Sequence, residues 1–350
     1  MSKKLITLLK MIVLALGVLT LCIVLANKNK TKKTDGGTTY YDFAMGTSVS
    51  VTLYGASDGD NISDEIIKAA NSLSEELISW RTDTSELGTL NQNYVAGQEY
   101  SISEKLHYIL YSSYEISEKS NGAMDITIRP LADVWNIESA DSENFKIPNM
   151  EDIAEARANV GYEYLEFTDN GIILQNQAMI LDLGSTGKGY ALDIARDILN
   201  NNAVDGAVVT MGGSILVYGK KTDGSDWKIG IRDPEGSSED MIGYLSFSGD
   251  TDICISTSGD YEKYIEKDGV VYHHILDRET GYPSNSGLRS VTVVCEDGLI
   301  SDGLSTACFV LGYDASLKLL EEYDAEAVFV LNDNQVIVTE GLKDIYSDNN

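Results

Sequence analysis

The chain has 350 residues, 43% of them hydrophobic, enough for one large or two ordinary globular domains, which rules out a disordered chain or a fibrous repeat. Its 26 Lys and Arg stand against 55 Asp and Glu, and seven of those lysines fall in the acid-free first 34 residues, so the remainder carries 19 bases against 55 acids, a net charge of −36. Such a body repels phosphate backbones and anionic headgroups, and no basic patch offsets it, which argues against nucleic-acid binding.

Residues 5 to 26, LITLLKMIVLALGVLTLCIVLA, are 22 residues with one charge, Lys10. As a helix they span roughly 30 Å, the thickness of a bilayer core. They read as a membrane anchor or an export signal. Val24 and Ala26 permit cleavage, but the run exceeds the usual ~7–15 apolar residues of a signal, so a retained anchor is expected. Lipidation at Cys22 is disfavoured by the bulky Leu21 before it. Lysines flank the run on both sides and leave its orientation open. Residues 27 to 37 form a polar tether, residues 38 to 342 the folded domain and residues 343 to 350 a polar tail.

Along the body, alternation marks a strand over 48–54, and helical spacing marks helices over 64–78, 103–119 and 152–158. A short strand over 178–183 runs into GSTGKG and a helix over 190–199. Strands follow at 207–210, 214–218, 227–231, 252–256, 270–276, 290–295, 327–331 and 336–339, with helices at 300–311 and 315–322. Strands outnumber helices in the second half and alternate poorly with them. The expected class is α+β, with mixed or mostly antiparallel sheets, flanking helices and a ligand cleft between lobes. Cys254, Cys295 and Cys308 lie in apolar runs with no C-x-x-C pair and read as small core residues.

Three patterns can carry chemistry. In DLGSTGKGYALD (182–193) a glycine-rich turn opens a helix, a ready anion site to which Lys188 adds a mobile charge; the plainer alternative is a tight turn with a surface lysine. It is not a Walker A loop, because Asp182 replaces the first Gly and Gly189 the Mg²⁺-binding hydroxyl. Ser185 and Lys188 also fit the S-x-x-K of penicillin-recognising enzymes, but Ser225 and Lys228 repeat that spacing, and the expected K-T-G is interrupted by Asp223. In CEDGLISDGLSTACFVLG, Asp302 and Thr306 lie one helical turn apart, a hard-oxygen pair suited to Mg²⁺, unless Asp302 merely serves the helix dipole. In VVYHHILDRETGYP, His273 and His274 point to opposite faces of a strand, so one at most looks into a given cleft, as a structural residue or as a general base beside Asp277.

Taken in order, AMGTSVSVTLY, SWRTDTSELGTLN, NGAMDITIRPLADVWN, ILDLGSTGKGYALD, VVTMGGSILVYG, STSGDYEKY, YHHILDRETGYP and SDGLSTACFVLG resemble the FAD:protein FMN transferases, the ApbE-like family, over almost all of residues 40 to 340. The resemblance implies Mg²⁺-dependent transfer of FMN from FAD to a Thr or Ser hydroxyl of a partner protein through a phosphoester bond, with AMP released. It implies that Met45 and Trp80 line the flavin site, Trp80 standing where Tyr is commoner, and that Ala123, Met124 and Asp125 bind FAD through backbone and carboxylate. Asp182 and Lys188 contact the dinucleotide, and the Ser185 carbonyl joins Asp302 and Thr306 around Mg²⁺. Lys188 and His274 are the catalytic pair, His274 also contacting the flavin nucleotide and assisting deprotonation of the acceptor. The resemblance further implies a single-pass protein of the cell membrane with its catalytic domain on the extracytoplasmic side and a membrane-associated electron-transfer protein as acceptor. A membrane-tethered FAD carrier and an FAD pyrophosphatase are the alternatives; a carrier needs neither the metal pair nor the base.

Overall fold

In TSVSVTLY the side chains of Val49, Val51 and Leu53 turn inward, the period of a half-buried strand, and this segment, Thr47–Tyr54, pairs over its whole length with GTTYYDFA, Gly37–Ala44. They belong to a nine-stranded sheet in the computed structural model, which describes residues 32–34, 36–140, 143–237 and 239–349. Its strands cross the sheet in chain order: Lys32–Thr34, Gly37–Ala44, Thr47–Tyr54, Gly206–Met211, Ser214–Gly219, Thr251–Gly259, Leu288–Cys295, Glu326–Leu331 and Val336–Val338. Each is antiparallel to its neighbour, so the sheet is not mixed.

Alternation sorts the core to two faces. Leu216, Cys254 and Val293 pack with Ile62, Ile66, Leu192, Leu199 and Leu304 of the helices Gly59–Ser72, Gly187–Asn200 and Gly298–Leu311. Their chain neighbours Val217, Ile255 and Val294 meet Trp227, Ile229 and Leu245 of a second sheet, Trp227–Arg232, Met241–Phe247 and Tyr346–Asp348. A third cluster, built on Leu131, Trp135, Phe145, Ile265 and Leu276, supports the segment that carries His274. The three body cysteines are free and buried.

Most elements fall where the sequence puts them; the differences have physical causes. The expected strand over 178–183 joins no ladder, because Asn91 occupies both backbone groups of Leu181 at 2.9 Å and the Asp182 N–H goes to the Ile126 carbonyl. The strand expected over 270–276 stops at His273. The helix expected over 64–78 begins at Gly59, and its last residues, Leu73–Ile78, wind as a π-turn. Residues 32–34, read as tether, and 346–348, read as tail, are edge strands. The apolar run over residues 5–26 lies outside the described residues; among those, no helix is long and apolar enough to cross a membrane.

Candidate active site

Two helices and one hairpin tip build the site. Met45 and Gly46 both adopt positive φ, 53° and 74°, making the two-residue turn that joins the first long strands. For Met45 this backbone is costly, and it puts the side chain against Gly187 at the start of the Gly187–Asn200 helix, where a Cβ on Gly187 would lie 3.6 Å from Met45 Cε. The second helix, Gly298–Leu311, crosses the first at paired glycines: a Cβ on Gly189 would sit 1.9 Å from the Gly298 carbonyl oxygen, and one on Gly298 would sit 2.3 Å from that of Gly189. Only bare backbone permits this approach, and it carries Lys188 to Asp302.

Asp302 is not serving the helix dipole. Asp297 is the N-cap and accepts from the Ile300 N–H at 2.8 Å, while Asp193 accepts from the Gly298 and Leu299 N–H groups at 2.7 and 2.9 Å. The carboxylate of Asp302, its side chain 6% exposed, instead accepts from the Gly189 N–H at 3.0 Å and the Ser214 hydroxyl at 3.1 Å, with Lys188 Nζ 3.4 Å away. Thr306, one turn on, lies 3.4 Å from the Ser258 hydroxyl. Burial works against the Lys188 ammonium, but Asp302, Glu262 and Asp182 outweigh it and raise its pKa, so it stays charged. Burial likewise raises the carboxyls of Asp182 and Glu262, against the Gly184 N–H and Arg129 in the first case and Lys188 in the second.

These groups face one cavity of about 580 Å³. Met45, Trp80, Ala123, Met124, Asp125, Asp182, Ser185, Lys188, His274, Asp302 and Thr306 all line it, although they come from six separate stretches of chain. The Asp125 carboxylate is fully covered and accepts from Thr127 N–H and hydroxyl, from the Tyr162 N–H and from Arg278, and so braces the loop. The two histidines separate sharply. His273 is buried, its Nε2 2.9 Å from the Ser284 carbonyl and its ring edge-on to Phe309. His274, half-buried, lines the cavity with Nδ1 3.2 Å from the Lys263 carbonyl; Asp277 is not its partner, being engaged by the Glu279 N–H. A carbonyl only accepts, so Nδ1 carries the proton and Nε2 the free lone pair. Burial, then Lys263, depress the His274 pKa to about 4. The ring is neutral at pH 7, as a proton acceptor must be.

Sequence reading missed a charged wall. Arg129, buried in the first turn of the Arg129–Trp135 helix, lies 3.5 Å above the Trp80 ring and pairs with Asp133, Glu138 and Asp182. Arg81 and Lys263 converge on the same Glu138 at 2.9 and 2.8 Å. Pro130, at the helix start, was the one local signal that this helix exists.

A fixed lysine, a carboxylate and hydroxyl side by side and a neutral imidazole, all opening on one cavity, suit charge neutralisation at a phosphate together with proton removal, the chemistry of a group-transfer enzyme. Residues 45–329 match the model of the ApbE family. The chain belongs to the ApbE family and is an enzyme of its flavin-transferase class. It is 29% identical over 280 residues to the FAD:protein FMN transferase of Vibrio cholerae, covering 79% of this chain and 82% of that one. With the enzyme of the same name from Treponema pallidum it shares 30% identity over 286 residues, 77% of each chain. The crystal structure of the ApbE protein from Thermotoga maritima superposes with a TM-score of 0.79 at 31% identity, covering 88% of this chain and 99% of that one.

Proposed function

We propose that this enzyme moves the FMN half of FAD onto a Thr or Ser hydroxyl of a partner protein. The acceptor oxygen bonds to the FMN phosphorus, the phosphoanhydride bond to the AMP phosphate breaks, AMP leaves with the bridging oxygen, and the hydroxyl proton passes to His274 Nε2. The observation that carries this reading is the convergence of Lys188, Asp302 and His274 on one cavity. Negative charge gathers on the phosphoryl oxygens and on the AMP phosphate as the bond breaks, and the Lys188 ammonium, held charged by its acidic neighbours, is placed to offset it. In a body of net charge −36 that local cation matters more, because the mean field repels the dinucleotide. A Thr hydroxyl is a weak nucleophile at neutral pH, which is why a neutral imidazole at the cavity wall has a task.

The donor chemistry fits Mg²⁺: one buried carboxylate and one hydroxyl on a single helix face, both oxygens, with few protein ligands and room for phosphate. Asp302, Thr306 and the Ser185 carbonyl are the residues that hold it in this reading. Bound there, it supplies Lewis-acid neutralisation of phosphate charge. The apolar run over residues 5–26 supports tethering to the cell membrane; the extracytoplasmic side and a membrane-associated electron-transfer protein as acceptor rest on the family resemblance. Asp302→Ala tests the reading: transfer is lost with the fold intact, and EDTA reproduces the loss in the wild type, reversed by Mg²⁺. Full transfer in EDTA contradicts the metal assignment, and FAD binding with no turnover under any condition points to a carrier.

A further inference from the structure

His274 follows directly on a two-stranded hairpin, Tyr264–Lys267 with Val270–His273, in which Tyr264 pairs with His273. Lys263 and His274 are thus the first residues beyond its open end. Such a hairpin is marginal by itself, and Tyr264, Val270 and Val271 are all about half exposed. What fixes the ring is one carbonyl: that of Lys263 accepts from the His274 backbone N–H at 3.0 Å and from its Nδ1 at 3.2 Å. Lys263 is itself anchored at its other end, its Nζ donating at 2.8 Å to Glu138 Oε1. Glu138 stands in the turn after the Arg129–Trp135 helix, held there by left-handed Asn136 (φ 49°) and buried Ile137, and its second oxygen takes Arg81 at 2.9 Å and Arg129 at 3.5 Å.

We infer that Glu138 is a positioning residue for His274: through Lys263 it pins the hairpin mouth, and so sets both the orientation of the imidazole and the tautomer that leaves Nε2 free. The role is suited to a carboxylate that never protonates in the working range. Burial alone would raise its pKa, but Lys263, Arg81 and Arg129 overcome this and hold it at about 2. The inference rests on His274 as proton acceptor, and its test separates the two. The charged and titratable groups facing His274 are Lys263, which depresses its pKa, Glu138, which raises it, and His273, which depresses it.

Lys263→Ala and Glu138→Gln break the link from its two ends. Measured in single turnovers at saturating FAD on the full chain at pH 7, each slows transfer about 10-fold or more, part of the ~10²–10⁴-fold a general base supplies. Placed in a His274→Ala background, neither slows the reaction further. The acid limb of kcat/KM moves to higher pH in Lys263→Ala, which removes a cation, and does not do so in Glu138→Gln. ¹⁵N spectra of the imidazole show the Nδ1–H tautomer in the wild type and a mixture in both variants. Circular dichroism checks folding, and if Glu138→Gln fails it, Lys263→Ala decides alone. Slowing that multiplies with His274→Ala, or a tautomer unchanged in the variants, overturns the positioning role. A His274→Ala enzyme as fast as wild type overturns the base reading itself.

Discussion

His273 and His274 are chain neighbours in different surroundings, one locked between a carbonyl and Phe309, the other on the cavity wall. His274→Ala is expected to slow transfer about 10²- to 10⁴-fold with FAD binding nearly unchanged, while His273→Ala leaves the chemical step alone and costs stability; single-turnover rates, FAD titration and thermal melts on both variants measure this. The pH dependence follows from the same ring. With its pKa depressed to about 4, His274 gains its proton, and loses its function, only well below the ordinary histidine value of 6.5. A kcat/KM profile is therefore flat from neutrality down to about pH 5, falls below that, and loses this limb in His274→Ala; an inflection near 6.5 contradicts the depressed pKa. The sequence expectation put the two histidines on opposite faces of one strand; that strand ends at His273, and the two residues have different surroundings without sharing it. Glu138, Arg129 and Lys263 were not legible, because the pairs that give them meaning join residues as far as 125 positions apart. Pattern within a window sees no such partner.

At the scale of elements, the crossing of Gly187–Asn200 and Gly298–Leu311 is the device that makes the site. Gly189→Ala puts a methyl 1.9 Å from the Gly298 carbonyl oxygen, and no side chain there can yield, so the helices must part. The expected cost is about 1–3 kcal/mol of stability, with loss of transfer as Lys188 and the Gly189 N–H leave Asp302; melting temperature and activity report the two effects. Ser103→Ala is its counterpart. It removes the cap that accepts from the Leu106 N–H at 3.2 Å, costs ~1 kcal/mol and leaves transfer unchanged. Helices were legible where caps and apolar spacing agree, as at Ser103, Asn149 and Asp297. Met241–Phe247 escaped notice because Gly243 interrupts MIGYLSF and only Gly243 and Leu245 are buried in it. The 178–183 segment misled because its apolar residues are core without being strand: a side-chain amide, not a neighbouring ladder, satisfies its backbone.

For the whole molecule, the chain-order antiparallel sheet places the hairpin tip with Met45 and the helix starts with Lys188 and Asp302 around a common cavity, leaving the N-terminal strand Lys32–Thr34 on the outer edge. A chain beginning at residue 32 keeps every element of the cavity. It is expected to stay in solution without detergent and to transfer at the full-length rate to a soluble acceptor, as size-exclusion chromatography and rate measurement will show; one beginning at residue 36 bares the Gly37–Ala44 edge and is less stable. The acidic, strand-rich character of the body was plain from composition and alternation. The cavity was not, since its lining is drawn from loops and helix starts that only the tertiary fold assembles.

The account stands or falls on the mass of an acceptor protein after incubation with FAD, Mg²⁺ and this enzyme. It predicts a single adduct of one FMN less one water on a Thr or Ser, with AMP released in equal amount, and no adduct with Asp302→Ala or in EDTA. Consumption of FAD to free FMN and AMP with the acceptor unmodified, or an adduct that forms as readily without metal and without Asp302, contradicts it.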